Sequence, residues 1–211
     1  MTPRRPIDRF LLRTLLWLAP MFVLWYVLAP LLLKPVAGWT HFALSHGFPH
    51  AIAAVEPQGA AVDIVTRFAI AAPADGSAPA GAQGQLVFAI NALKYAYGLP
   101  LLLALTLAAP TPVGEKLYRG AMGGLLLIPV PVWGLACEAL KVLVFDMDPA
   151  IAAQMGTMPL TRELLVLAYQ LGYLILPAVA PILIWAAFHR DFLGELLPQV
   201  RRARSAPPKP E

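Results

Sequence analysis

Few side chains in this 211-residue sequence could do chemistry, and Cys137, the only cysteine, is the first to test. A cysteine nucleophile needs a base, usually histidine, to become a thiolate. His41, His46 and His50 share one segment outside every apolar stretch, and His189 follows the last of those stretches. Cys137 therefore reads as a small buried hydrophobe. One cysteine also excludes an internal disulfide framework and any cysteine-based zinc site. The three clustered histidines are spaced by five and four residues, with Gly47 and Pro49 between the last two. That spacing does not present one helical face to a metal, so they read as solvated. Neither a metal, a cofactor nor a catalytic set is expected.

Other groups point to contacts between helices or between proteins. Glu138 and Lys141 are three apart and share a helical face, as an interfacial ion pair would. Asn91-Ala92-Leu93-Lys94-Tyr95-Ala96-Tyr97-Gly98 joins a strand pattern to an apolar stretch. Asn91 suits a helix cap, and Lys94, Tyr95 and Tyr97 suit a membrane boundary, where they fix the depth of a span. Tyr169, Gln170, Gly172 and Tyr173 place hydrogen-bonding groups and a small residue inside another apolar stretch, which favours packing across helices. The residues expected at a partner interface are Asn91, Lys94, Tyr95, Tyr97, Glu138, Lys141, Tyr169, Gln170 and Tyr173.

The elements that must position these groups are membrane helices. The chain is 59% hydrophobic and 13% charged, with a mean hydropathy of +0.67. Soluble domains are about 45–50% apolar and about 25% charged. Four stretches carry no charge: Thr14–Leu33, Tyr95–Gly114, Gly120–Cys137 and Leu164–Phe188, of 20, 20, 18 and 25 residues. About 20 helical residues cross a hydrocarbon core of about 30 Å. The expected architecture is mainly α and integral to the membrane. It has helices at 14–33, 95–114, 120–137 (with room to extend to 145) and 164–188. The first is too long for the apolar region of a signal peptide and reads as a retained anchor. Pro129, Pro131, Pro177 and Pro181 are expected to kink the last two spans, without the intramembrane acid or inverted repeat of a transporter.

Charge sets the orientation. Of sixteen Lys and Arg, eleven lie before span one, between spans two and three, or after span four. The positive-inside rule then makes residues 1–13, 115–119 and 189–211 cytoplasmic, and 34–94 and 138–163 external, periplasmic in a Gram-negative cell. The basic, proline-rich tail is expected to be disordered and attracted to anionic lipid. No folded basic domain suggests nucleic-acid binding.

The external segment 34–94 contains a small β-meander. Val62, Ile64, Phe68 and Ile70 alternate with Asp63 and Arg67, and Leu86, Phe88 and Ile90 alternate in a second strand. Ile52 to Glu56 is a weaker strand. Glu56-Pro57-Gln58-Gly59 predicts a type I turn and Ala72–Gly84 a loop. Residues Val36 to Ser45 suit a separate helix on the membrane surface. So small a sheet needs something to dock on.

Several strings resemble the exosortase H-associated membrane protein family. They are Val55-Glu56-Pro57-Gln58-Gly59, the strand with Val65-Thr66, Asn91 through Pro100 (NALKYAYGLP), and Tyr169 through Pro181 (YQLGYLILPAVAP). The resemblance implies a bacterial inner-membrane protein that accompanies an exosortase, a transpeptidase-like membrane enzyme that processes proteins bearing a C-terminal sorting tail. It supplies no catalytic residues. The chain does not resemble the exosortase itself, which uses an intramembrane Cys with downstream Arg and His. Cys137 sits in Ala-Cys-Glu, and the first histidine after it, His189, belongs to the opposite membrane face. The leading expectation is a non-catalytic accessory protein that binds an exosortase or its substrates. The alternatives are a thiol-dependent membrane enzyme using Cys137 and an assembly factor for surface fibres such as type IV pili.

Overall fold

The computed structural model describes residues 6–71, 83–155 and 161–194. Among the described residues, three helical runs are long and apolar enough to cross a membrane: Ile7–Gly47, Val113–Asp146 and Arg162–Phe188. The first is a single helix, α1 (Pro6–Gly47), of 42 residues. At 1.5 Å per residue it is about 63 Å long, twice the hydrocarbon thickness. The separate surface helix expected at Val36–Ser45 is therefore its C-terminal third. The helix runs on through Pro20, Pro30 and Pro35 and ends at Gly47, before Phe48 and Pro49.

The second uncharged stretch differs from expectation. It forms α2 (Leu93–Ala96) and α3 (Gly98–Ala108), then leaves the helix at Ala109. The run Leu93–Ala108 is shorter than the three above. Pro110 and Pro112 explain the stop: proline has no amide hydrogen to donate and disfavours helical backbone in the residue before it. The next helix, α4 (Val113–Leu127), takes in the whole of 115–119, which was expected to be a loop. After Ile128, itself in helical conformation, comes α5 (Pro129–Lys141), so Pro129 and Pro131 lie at the start of α5 within one helical run from Val113 to Asp146. A π turn, Val142–Asp146, extends it. α6 (Pro149–Gln154) follows, then α7 (Arg162–Gln170), a second π turn (Leu171–Ile175) and α8 (Leu176–Phe188). The wide turn directly precedes Pro177, whose ring would press on the Tyr173 carbonyl in regular α geometry.

The sheet has the order β1 (Ile52–Gln58), β2 (Ala61–Ala71), β3 (Gln83–Asn91), all antiparallel. Its first turn lies two residues later than expected. Gln58 pairs with Ala61, and the connection is Gly59-Ala60 with Gly59 at φ 63. A two-residue hairpin whose first central residue has positive φ favours glycine there. Pro57 is thus inside β1, tolerated because β1 is an edge strand. The β2–β3 register shifts between Val65 and Ala69. Buried Thr66 bridges that irregularity: its hydroxyl donates to the Leu86 carbonyl at 3.0 Å and accepts from the Phe68 amide at 3.3 Å. The loop expected over 72–84 lies outside the described residues, except Gln83 and Gly84, which begin β3. The tail from 195 onward also lies outside them.

The chain divides into two compact units. In the first, α4 packs on α3 through Gly120, Gly123 and Gly124. A Cβ at these positions would meet methyls of Leu103, Leu102 and Leu99 at 3.2, 2.7 and 3.3 Å. The Lys116 ammonium donates to the Leu107 carbonyl at 2.8 Å, serving one of the open carbonyls at the end of α3. Phe10 stacks on Trp185, and Trp185 on His189, with centroids 5.3 and 5.1 Å apart.

The second unit holds the sheet and the main core. One face of the sheet (Ile52, Val55, Val62, Ile64, Phe68, Ile90) is buried with Leu33, Val36, Ala37 and Leu44 of α1 and Leu135, Ala139, Leu140 of α5. Too small to be stable alone, the sheet gains its core from these two helices.

Candidate functional site

Beside this core, α2, α5, α7 and its π turn bring together six of the nine residues singled out in the sequence. Glu138 on α5 is the centre. Its Oε1 accepts from the Lys94 ammonium, and its Oε2 accepts from the Tyr95 hydroxyl at 2.6 Å. Tyr95 is fully buried. The Glu138 side chain is 13% exposed and that of Lys94 31%. The carboxylate is therefore held by two donors from one short helix, and Lys94 sits 5.3 Å from the Tyr95 ring centroid and 6.0 Å from that of Tyr173. Cation–π contacts of this kind hold an ammonium over an aromatic face.

Tyr173 packs edge-on against Tyr95 at 6.2 Å and stacks on Tyr169 at 5.9 Å with an interplanar angle of 5°. On the far side of this tyrosine pair, Lys141 lies 5.7 Å from the Tyr169 centroid. Its ammonium pairs with Asp146 at 2.7 Å. The ion pair predicted between Glu138 and Lys141 is thus not the one formed. Glu138 takes Lys94 from a helix 44 residues earlier, and the π turn returns Asp146 to Lys141.

Two glycines let the elements come this close. A Cβ on Gly134 would lie 2.2 Å from Tyr95 Cδ1, so α5 leaves its surface open for that ring. A Cβ on Gly172 would lie 2.8 Å from Trp133 Cδ1 and 3.2 Å from the Gly134 Cα. Trp133 Nε1 donates to the Ala168 carbonyl at 3.0 Å, tying α5 to α7.

The remaining three predicted residues play smaller parts. The Asn91 side-chain oxygen accepts from the Leu93 amide at 3.0 Å, so Asn91 steadies the first turn of α2 from just outside it. Tyr97 is half-buried at the junction of α2 and α3, and Gln170 is exposed at the end of α7. Gly134, Trp133 and Asp146 escaped the sequence reading. A glycine whose partner ring is 39 residues away leaves no local spacing to detect.

The site has the chemistry of an anchored surface. Its strongest donors and acceptors are spent on one another, while Tyr173 is 41% exposed and both lysines keep an exposed fringe. Cys137 is buried one residue from Glu138. His46 and His50 engage backbone carbonyls of Phe42 and Met155, at 2.9 and 3.1 Å. Among the described residues no group of three potential ligands could hold a metal ion.

No curated protein and no solved structure matches the chain. A family does match, over residues 4–192, and that range spans the whole Lys94–Glu138 cluster. On that match the chain belongs to the exosortase H-associated membrane proteins.

Proposed function

We propose that this protein is a non-catalytic accessory subunit that assists an exosortase in sorting proteins with C-terminal tails. It resides in the bacterial inner membrane with both termini in the cytoplasm. The observation that carries this reading is the Lys94–Tyr95–Glu138 knot. It fixes the sheet-bearing segment to the helices through groups that neutralise one another, leaving a lysine–tyrosine rim around Tyr169 and Tyr173 for a partner. A partner surface needs rigid aromatic and cationic groups of this kind, whereas catalysis needs a free base beside a nucleophile.

The charge at both ends supports an even number of crossings. Arg4 and Arg5 precede α1, Arg9 and Arg13 lie in its first eight residues, and Arg190, Arg201, Arg202 and Arg204 follow α8. With three long helical runs, the fourth crossing falls to α2 and α3. Sixteen residues give about 24 Å, a shortfall that local thinning of the bilayer accommodates. Residues 34–92 are then periplasmic, and the basic tail lies on anionic lipid.

The decisive experiment is co-purification. The tagged chain, solubilised in mild detergent, should retain the exosortase of the same cell, and its deletion should impair tail processing or lower exosortase levels. A deletion that leaves both unchanged removes the proposal. Cys137→Ser should keep full function; loss of function there would favour a thiol-dependent enzyme instead.

A further inference from the structure

We propose that the free edge of β3 is a docking site for an extended segment of a sorted protein, which adds to the sheet as a fourth, outer strand. The proposal rests on the accessory reading above and names what the accessory protein holds.

The edge follows from the register. Among the described residues, β3 is hydrogen-bonded on one side only, to β2. The Ala92 amide donates to the Ala60 carbonyl at 3.2 Å, and the pairing runs unshifted from Ala61↔Asn91 to Val65↔Val87. Backbone groups alternate between the two sides of a strand, so those of Ile90 and Phe88 also serve β2. Those of Asn91, Ala89 and Val87 turn outward, about 6.8 Å apart. Val87 is 49% exposed, and Leu86 and Phe88, on the apolar face with Ile90, are only half-buried. A fourth strand satisfies the outward groups and completes the cover of Leu86 and Phe88 with its own alternate apolar side chains.

The chemistry selects the occupant. Lipid tails offer no partner to a backbone amide, and a helix has already spent its own. Water meets such groups too, but edges left to water are normally guarded by proline or charge. β1, the opposite edge, is guarded in this way by Glu56 and Pro57, the latter lacking a donor. β3 has neither proline nor charge in its nine residues. A second copy does not fit. Antiparallel pairing of two identical edges needs a two-fold axis perpendicular to the sheet. The buried face of the sheet packs along α1 from Leu33 to Leu44, about 16 Å of a helix long enough to cross the membrane. That axis would lie in the membrane plane and invert one copy. Of the enzyme and the protein it sorts, the sorted protein must offer an extended, unpaired backbone, because only such a segment enters an active site to be cut.

The test uses the full-length chain co-expressed with the exosortase and one tail-bearing protein of the same genome. Ala89→Pro removes an outward donor and no bond to β2, so the unfolding midpoint and co-purified exosortase should match wild type. Tail processing should fall at least about tenfold. Ala89→Ser should process normally. A photo-crosslinker at Val87 should join the tail-bearing protein in the segment that precedes its tail. Without any substitution, a synthetic peptide of that segment, about ten residues long, should slow exchange of the Val87 and Ala89 amides at least about tenfold. Should Ala89→Pro lower the midpoint, this exchange measurement decides alone. If the peptide leaves both amides unprotected, or a stable Ala89→Pro chain supports normal processing, the edge assignment is wrong and the accessory reading stands. Crosslinks only to a second copy or to the exosortase overturn it in the same way. If the unaltered chain retains no exosortase and its deletion spares processing, both readings fall together.

Discussion

Replacing Gly134 by alanine tests the packing logic of the site most directly. The new methyl would stand 2.2 Å from Tyr95 Cδ1, 2.6 Å from Cγ and 2.8 Å from Cε1. Ordinary contact begins near 3.4 Å, so the ring must retreat by about 1 Å. Tyr95 has nowhere to go. It is fully buried, its hydroxyl is 2.6 Å from Glu138 Oε2, and its outer edge meets Tyr173. Overpacking of this kind costs about 1–3 kcal/mol, and loss of a hydrogen bond to a charged group about 1.5–3 kcal/mol. Better helix propensity returns about 1 kcal/mol. The net expectation is a destabilisation of about 2–4 kcal/mol, roughly 5–15 °C in unfolding midpoint for a chain of this size. Unfolding in mild detergent, followed by tryptophan fluorescence, measures it. Gly38→Ala, in open space on α1, is the control and should not lower the midpoint. In a Tyr95→Ala background the Gly134→Ala penalty should largely vanish. A Gly134→Ala midpoint equal to wild type, or a penalty that persists without the Tyr95 ring, would refute the reasoning.

The electrostatic pairs should rank by burial. Glu138→Ala strands the Tyr95 hydroxyl and the Lys94 ammonium together and should cost about 2–3 kcal/mol in the same assay. Lys141→Met breaks a pair whose side chains are 33% and 45% exposed, and should cost less than about 1 kcal/mol. His189 gives a pH signature. Burial holds its imidazole below the usual histidine range; the Trp185 carbonyl opposes this, Arg119 adds to it, and Glu115 opposes it least. The unfolded chain then binds the proton more readily, so stability should be full above about pH 6.5 and decline as pH falls below it. In a His189→Phe variant, an unfolding midpoint measured from pH 8 to 5 should lose that acidic decline.

The sequence by itself determined the solvent of this chain and the period of each element. Uncharged stretches near 20 residues marked three of the helical runs, and strict alternation at Val62–Ile70 and Leu86–Ile90 marked two strands, because burial and backbone pairing act locally and leave a periodic trace. Asn91 was legible too: it accepts from an amide in the first turn of α2, as its place at the strand end predicted. Breaks were less so: hydropathy carried the second span through Pro110 and Pro112, although proline chemistry ends the helix at Ala108. Tertiary structure alone decided the partners. Glu138 could pair with Lys141 on its own helix, yet it takes Lys94 and Tyr95, because Gly134 lets the Tyr95 ring settle against α5 and brings both donors to the carboxylate. Asp146 then reaches Lys141 through a π turn that no local pattern announced. Which charges meet depends on how closely two backbones can approach, and that distance is set by side chains far apart in sequence.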